Sequence, residues 1–190
     1  MLMTLRIKKV TTELIENKLV VWNTVEGSQI FKLGFYGKPI GISKPKSADF
    51  DSPLIIDLIE GLYLLEKGII RILAGNSKRS ISAKRLRTYA REVYKGFDLN
   101  YIVYKNLREH HFIVMPGIKF GCEYAVYEKG PGIDHAPYLV SVKGAEEEIT
   151  SEDVVRAGRL ATSVRKRFII ALPNPRNEEV EYLMFNWFKA

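Results

Sequence analysis

The first strong hydrophobic run is "LVVW" at residues 19–22, and the apolar and polar positions over residues 5–22 predict two short strands separated by a polar turn. The period then breaks. In "FKLGFYGKPIGISKPKS", residues 31–47, Gly34, Gly37, Pro39, Gly41 and Pro45 rule out a regular element and predict a structured loop. That loop carries Lys32, Lys38, Lys44 and Lys46 and no acid. Further on, Ile55, Leu58, Ile59, Leu62 and Leu65 recur at helical spacing. Ser52 is read as the N-cap of this helix, Pro53 as its first residue and Gly68 as its stop. "IIRILA" predicts a short strand, and residues 82–94 a helix with Lys84, Arg85, Arg87 and Arg91 among its polar positions.

"KGFDLN" reads as a boundary, with Gly96 breaking one helix and Asp98 capping the next, which covers residues 101–109. The pattern then turns strand-rich through "FIVMPGIKF", "EYAVYEK" and "PYLVSVK". Thr150 with Asp153 matches a capping-box variant, opening a helix that runs to about Lys166. In that helix Val154, Ala157, Gly158, Ala161, Val164 and Phe168 predict a narrow face for packing on a sheet. Arg156, Arg159, Ser163 and Lys166 share another face. "RFIIAL" and "VEYLMFNWF" predict two closing strands. The pattern implies an α+β chain: a small N-terminal mixed α/β domain over residues 1–95, and a C-terminal mixed-sheet domain flanked by helices over residues 96–190.

Composition narrows the function classes. With 29 Lys and Arg against 22 Asp and Glu, the net charge is +7, which directs attention to polyanionic partners. The single cysteine, Cys122, excludes an intrachain disulfide and a multi-cysteine zinc site, and reads as a small buried hydrophobe. No apolar run approaches the roughly 18 residues of a membrane span, and "MLMTLRIKKV" lacks the apolar core of a signal peptide. The expectation is a soluble, cytoplasmic protein. Gln29 is the only glutamine, a composition poor in thermolabile amides.

The candidate chemistry starts at "YEKGPGIDHAPYLV", residues 127–140. Tyr127 ends one strand and His135 opens the next across a Gly/Pro loop. This is either a plain hairpin with a surface histidine or two parts of an active site. A histidine titrates near neutrality and donates a proton well. A tyrosine is a weak base at its free pKa near 10, but cations favour its phenolate. Lysine opposes charge developing on phosphorus. These three residue types suffice to cleave RNA without a metal. By contrast, Glu146, Glu147 and Glu148 form one contiguous run and read as a solvated turn, not a two-metal carboxylate site. His110 and His111 are adjacent and lack the i,i+4 spacing of a helical ligand pair. Walker A, G-x-G-x-x-G and G-x-S-x-G motifs are missing from the sequence.

At these residues the chain resembles the archaeal tRNA-splicing endonucleases. The resemblance rests on "YKNLREHHFIVMPGIKFGCEYAVYEKGPGIDHAPYLV", "GRLATSVRKRFIIAL" and "VEYLMFNWFK". "GFYGKPIGISKPKS" and "LIEGLYLLEKG" are similar to catalytic subunits of the crenarchaeal branch. The resemblance implies that residues 96–190 are the catalytic endonuclease domain and residues 1–95 an assembly and RNA-contact domain. It implies Tyr127 as general base, His135 as general acid and Lys166 as transition-state stabiliser. It also implies Arg159 as a residue that stacks on a flipped-out base, with Trp187 near a second stacking position and Lys44 as an RNA contact. The implied substrate is precursor tRNA with a bulge-helix-bulge. It would be cut without cofactor or metal to 2′,3′-cyclic phosphate and 5′-hydroxyl ends.

The implied assembly is a tetramer of two catalytic and two structural chains, the alternative being a homotetramer, with Glu178 and Glu179 in an acidic interface loop. Two departures from the family pattern, Glu123 in place of aspartate and His111 near a glycine position, read as structural. Two other classes compete: a non-catalytic structural subunit of the same fold, and a general RNA-binding module resting on charge alone.

Overall fold

The computed structural model describes residues 9–43, 45, 47–75, 79–133, 135–163 and 166–185. Within the last helix, the side chains of residues 156, 157 and 160–163 also lie outside the description. The chain divides into two compact units, residues 1–95 and 96–190.

The first unit is a six-stranded sheet in the order β3-β4-β2-β1-β5-β6, with three helices. β1 (Val10–Ile15) and β2 (Lys18–Val21) form the expected hairpin, with Glu16 in the left-handed region at its turn (φ 49°). α1 (Thr24–Gly34) was not foreseen, and it takes in the first residues of the segment read as a loop. Its start is fixed by Asn23, whose side chain accepts from the Glu26 amide. Gly34, treated as a breaker, ends the helix at a left-handed Phe35.

β3 (Lys38–Pro39) then pairs with β4 (Leu54–Ile56). The loop before β3 is tied down by buried Glu60, which accepts from the Gly37 amide at 3.1 Å, and by Tyr36 stacked on Tyr63. α2 (Leu58–Glu66) begins five residues later than expected: residues 54–56 are taken by the sheet, and Asp57, not Ser52, caps the helix through the Glu60 amide. Gly61 sits inside α2 because a Cβ there would lie 2.1 Å from Leu19 Cδ1, so the bare backbone permits close helix–sheet packing. β5 (Ile70–Ala74), β6 (Arg79–Ile81) and α3 (Ala83–Val93), capped by Ser82, complete the unit.

The second unit opens with α4 (Phe97–Glu109), one turn earlier than expected. Gly96 occupies its cap position in a left-handed conformation, and Asp98 lies in the first turn rather than capping it. Buried Arg108 is satisfied within the unit by Tyr104 Oη and the Val114 carbonyl. The helix exits through His111, which has φ 66°, a conformation in which glycine is more at ease. β7 (Ile113–Pro116), a 3₁₀ turn (Ile118–Phe120), β8 (Tyr124–Tyr127) and β9 (Tyr138–Val142) follow. α5 (Ser151–Ser163) then connects β9 to the parallel β10 (Arg167–Pro173), and β11 (Val180–Phe185) closes the sheet in the order β11-β10-β9-β8-β7.

The capping box of α5 forms as read. Thr150 N donates to Asp153 Oδ2 at 3.0 Å, and Asp153 N to Thr150 Oγ1 at 3.2 Å. Those bonds from Thr150, with Lys143 3.2 Å away, bring the Asp153 pKa down to about 2. Among the described residues no helix is long and apolar enough to cross a membrane.

Candidate active site

β8, β9 and β10 are sheet neighbours, and their directions decide what meets what. β8 runs antiparallel to β9, and β9 parallel to β10. The end of β8, the approach to β9 and the start of β10 therefore share one end of the sheet. Tyr127 is the last residue of β8, His135 lies three residues before β9, and Lys166 immediately precedes β10. Strand pairing thus gathers three residues of which the first and last are 39 positions apart in the chain.

Two expectations need correction here. His135 does not open β9 but sits in the connecting loop, because the ladder with β8 begins only at Tyr138. Lys166 is not on the face of a helix with Arg159: α5 is described to Ser163, and Lys166 lies outside it, immediately before β10. The ladder with β9 straightens the chain at this point, where Arg167 N donates to the Pro137 carbonyl at 2.9 Å.

Lys166 is well anchored. Its Nζ donates to the Ala136 carbonyl and stands 5.3 Å from the centroid of the Phe120 ring. Burial lowers its pKa from the ordinary lysine value. Ala136 follows His135 directly, so the ammonium is bonded to the backbone one residue from the imidazole. Cys122, Ala125, Ala136, Leu139, Phe168 and Ile170 form a buried cluster, against which Phe120 and half-buried Tyr127 both pack. His135 is exposed at the border of this cluster. The loop between Tyr127 and His135 turns through Gly130 and Gly132, at φ 124° and 89°.

Glu123 braces the opposite end of these strands. Its Oε2 accepts from Ser141 Oγ at 3.0 Å and from Val142 N at 2.9 Å, joining the approach to β8 to β9. Cys122 is buried. Among the described residues, no three His, Cys, Asp or Glu side chains gather into a metal-ligand set.

The other candidates are dispersed. Arg159 is exposed on α5. The apolar face expected there is not continuous: Val154 is 48% exposed and Phe168 belongs to β10, while the side chains of Arg156, Ala157, Ala161 and Ser163, and residue Val164, lie outside the described residues. Lys44 and Trp187 lie outside them too. Glu178 and Glu179 are exposed in the β10–β11 turn, but Glu178 is ion-paired with Lys105 of α4 at 2.8 Å. Glu146, Glu147 and Glu148 are exposed, with Glu147 accepting from the Gly144 amide.

The sequence reading missed the partners of Lys166. Phe120 lies in the first segment that carries the resemblance, yet nothing in a local pattern ties an aromatic to a lysine 46 residues further on. The Ala136 carbonyl is a backbone group and leaves no signal in residue identity.

Comparison with known proteins gives this end of the sheet its context. The family model of the tRNA intron endonuclease N-terminal domain matches residues 10–87, and that of the tRNA intron endonuclease catalytic C-terminal domain matches residues 97–182. A tRNA-splicing endonuclease of Hyperthermus butylicus is 43% identical over 172 residues, covering 90% of this chain and 94% of that protein. Those of Saccharolobus islandicus and Sulfurisphaera tokodaii are each 42% identical, covering 93% of this chain and 97% and 98% of their own. The chain belongs to the tRNA intron endonuclease family. It is an endonuclease, and its substrate is tRNA.

Proposed function

We propose that this chain is a catalytic subunit that cuts precursor tRNA at bulge-helix-bulge splice sites without a metal. The observation that carries the reading is the convergence of Tyr127, His135 and Lys166 on one end of the second unit's sheet. Tyr127 takes the proton of a ribose 2′-hydroxyl. The freed oxygen attacks the adjacent phosphorus, and the P–O5′ bond breaks as His135 gives its proton to the departing oxygen. The products are a 2′,3′-cyclic phosphate and a 5′-hydroxyl. Lys166 opposes the charge that grows on the phosphoryl oxygens, and its partly desolvated position strengthens that interaction. An ammonium has three donors, so one bond to Ala136 leaves two for phosphate oxygens. Arg159, exposed on α5, is assigned the stacking contact to a splayed base, with Lys44 and Trp187 as further RNA contacts.

The assembly belongs to the same proposal: two copies of this chain with two structural subunits. β11 is the outer strand of its sheet and exposes Leu183 and Met184, which supports pairing with another chain. Glu178 and Glu179 are proposed as the acidic interface loop, Glu178 exchanging its pairing with Lys105 for one across the interface.

The test is cleavage of a bulge-helix-bulge RNA by the assembled enzyme. His135→Ala is expected to slow cleavage by about 10²–10⁴-fold, the range for a lost general acid. Wild-type cleavage is expected to persist in EDTA. Wild-type rates from the variant would remove His135 from the mechanism, and loss of activity in EDTA would favour metal chemistry.

A further inference from the structure

The chain's charge is concentrated in one segment of the first unit. Residues 79–95 hold six cations, Arg79, Lys84, Arg85, Arg87, Arg91 and Lys95, and one acid, Glu92. These 17 residues carry a net +5 of the chain's +7. The other 173 have 23 cations against 21 acids. The positive balance of the protein is therefore a local feature of α3 and its flanks.

The structure shows which way the charge faces. α3 packs on α2 and buries Leu86 and Ala90. At about 100° per residue, the opposite side carries Lys84, Thr88 and Arg91, with Arg87 on one flank and Glu92 and Arg85 on the other. Lys84, Arg85 and Arg91 are exposed, as is Arg79 on β6. Arg79, Lys84 and Arg85 have no side-chain partner among the described residues. A shallow groove of about 400 Å³ follows the helix, lined by Lys84, Arg85, Thr88, Tyr89 and Glu92 with Ser82. Tyr89 is fixed there, its hydroxyl 2.9 Å from the Glu16 carbonyl and 2.8 Å from Asn17 Oδ1. Like charges three and four residues apart, as at Lys84–Arg87–Arg91–Lys95, weaken a helix. A polyanion on that face removes the repulsion.

We propose that the exposed face of α3, with Arg79 and Lys95 at its ends, docks the phosphate backbone of the tRNA outside the splice site. The identity of the RNA rests on the proposed function; the docking residues are distinct from the catalytic triad. The step from Lys84 to Arg91 spans about 10 Å. Contacts of this kind position an RNA by charge, without reading its sequence.

The experiment compares wild type with the triple variant R79A/K84A/R85A, in the assembled enzyme. Binding of a full intron-containing precursor tRNA, and of a minimal bulge-helix-bulge RNA without tRNA arms, is measured across a salt series. Expected are an affinity loss of about 10-fold or more for the full precursor and a salt slope shallower by roughly 2–3. The minimal RNA is expected to be cleaved with unchanged kcat. The charge-preserving R79K/R85K variant is expected to bind like wild type. Equal affinity and slope for triple variant and wild type overturn the proposal. So does an affinity loss in R79K/R85K, or dissociation of the assembly by the triple variant, which would make the face a protein interface. If wild type fails to cut the minimal RNA, the splice-site reading falls, while the affinity comparison on the full precursor still decides this one.

Discussion

In the first unit seven of the nine residues of α2 are buried, and the sheet beside it closes with Leu19, Leu54, Ile56, Ile70 and Ile72 fully inside. In the second unit, the end of the sheet that carries Tyr127, His135 and Lys166 is built on smaller pieces. Cys122, Ala125 and Ala136 form part of its cluster, and a lysine leans over a phenylalanine at the edge. The difference teaches how one chain separates two tasks. Large side chains fill space and fix position. Small ones leave room for polar groups to enter a partly dry environment, where a charge acts more strongly. The first arrangement puts its free energy into burial; the second holds a charged lysine against a desolvation penalty, offset by the Ala136 carbonyl and the Phe120 ring.

Substitutions in the two regions should therefore separate rate from stability. The largest effect is expected for Lys166→Ala: cleavage slower by about 10²–10³-fold with the melting temperature nearly kept. A steep fall in melting temperature would instead make the lysine structural and erase the contrast. The wild-type rate should also decline at alkaline pH below the ordinary lysine value of 10.5, because burial lowers the pKa of Lys166. The stability linkage has the matching sign. A depressed lysine pKa burdens the fold while the group is charged, and the burden lifts as pH rises through the folded value.

Leu62→Ala, in the middle of α2 and fully buried, is expected to behave the other way. Denaturant titration should show a loss of about 2–5 kcal/mol, while turnover of the minimal RNA stays near wild type below the melting range. Thr150→Ala should do least, costing about 0.5–2 kcal/mol through the α5 cap. The Asp153 pKa is lowered from 3.8 to about 2, so its contribution is present above pH 4 and lost as pH falls toward 2. The difference between the cap variant and wild type should therefore be largest at neutral pH and narrow in acid, where the hydroxyl no longer donates to a carboxylate. A constant difference through that range would show that the Thr150 hydroxyl acts only by accepting from the Asp153 amide, not through the carboxylate.

Legibility in the sequence follows the same divide. The β1–β2 hairpin, α3, the α5 capping box and the closing strands were readable because a local period or cap specifies each. α1 was not, since Gly27 and Gly34 weaken its helical pattern while its cap at Asn23 is a single side-chain bond. Residues 54–56 were read as helix because a short apolar run fits either period, and only pairing with β2 and β3 settles it. At the site, Tyr127, His135 and Lys166 were named from residue type and family resemblance. Lys166 was assigned to the wrong element, because the straightening of the chain there is set by Pro137, 29 residues earlier. Phe120 and the Ala136 carbonyl stayed invisible because a lysine's environment is a property of the fold, not of its neighbours in sequence.

The loop from Tyr127 to His135 is fixed at the end that carries His135. Ala136 is buried and accepts from Lys166, and Pro137 accepts from the Arg167 amide. On the other side Lys129 and Ile133 are exposed around the two glycines. A change of loop length is expected to be tolerated best beside these exposed residues. An insertion there lengthens the tether to Tyr127 and leaves His135 where Ala136 holds it. An insertion between His135 and Ala136 would move His135 away from Lys166, which is bonded to Ala136. Beside Ala136 the loop's length is fixed by burial and by two bonds; beside the exposed Lys129 and Ile133 it has more room to vary.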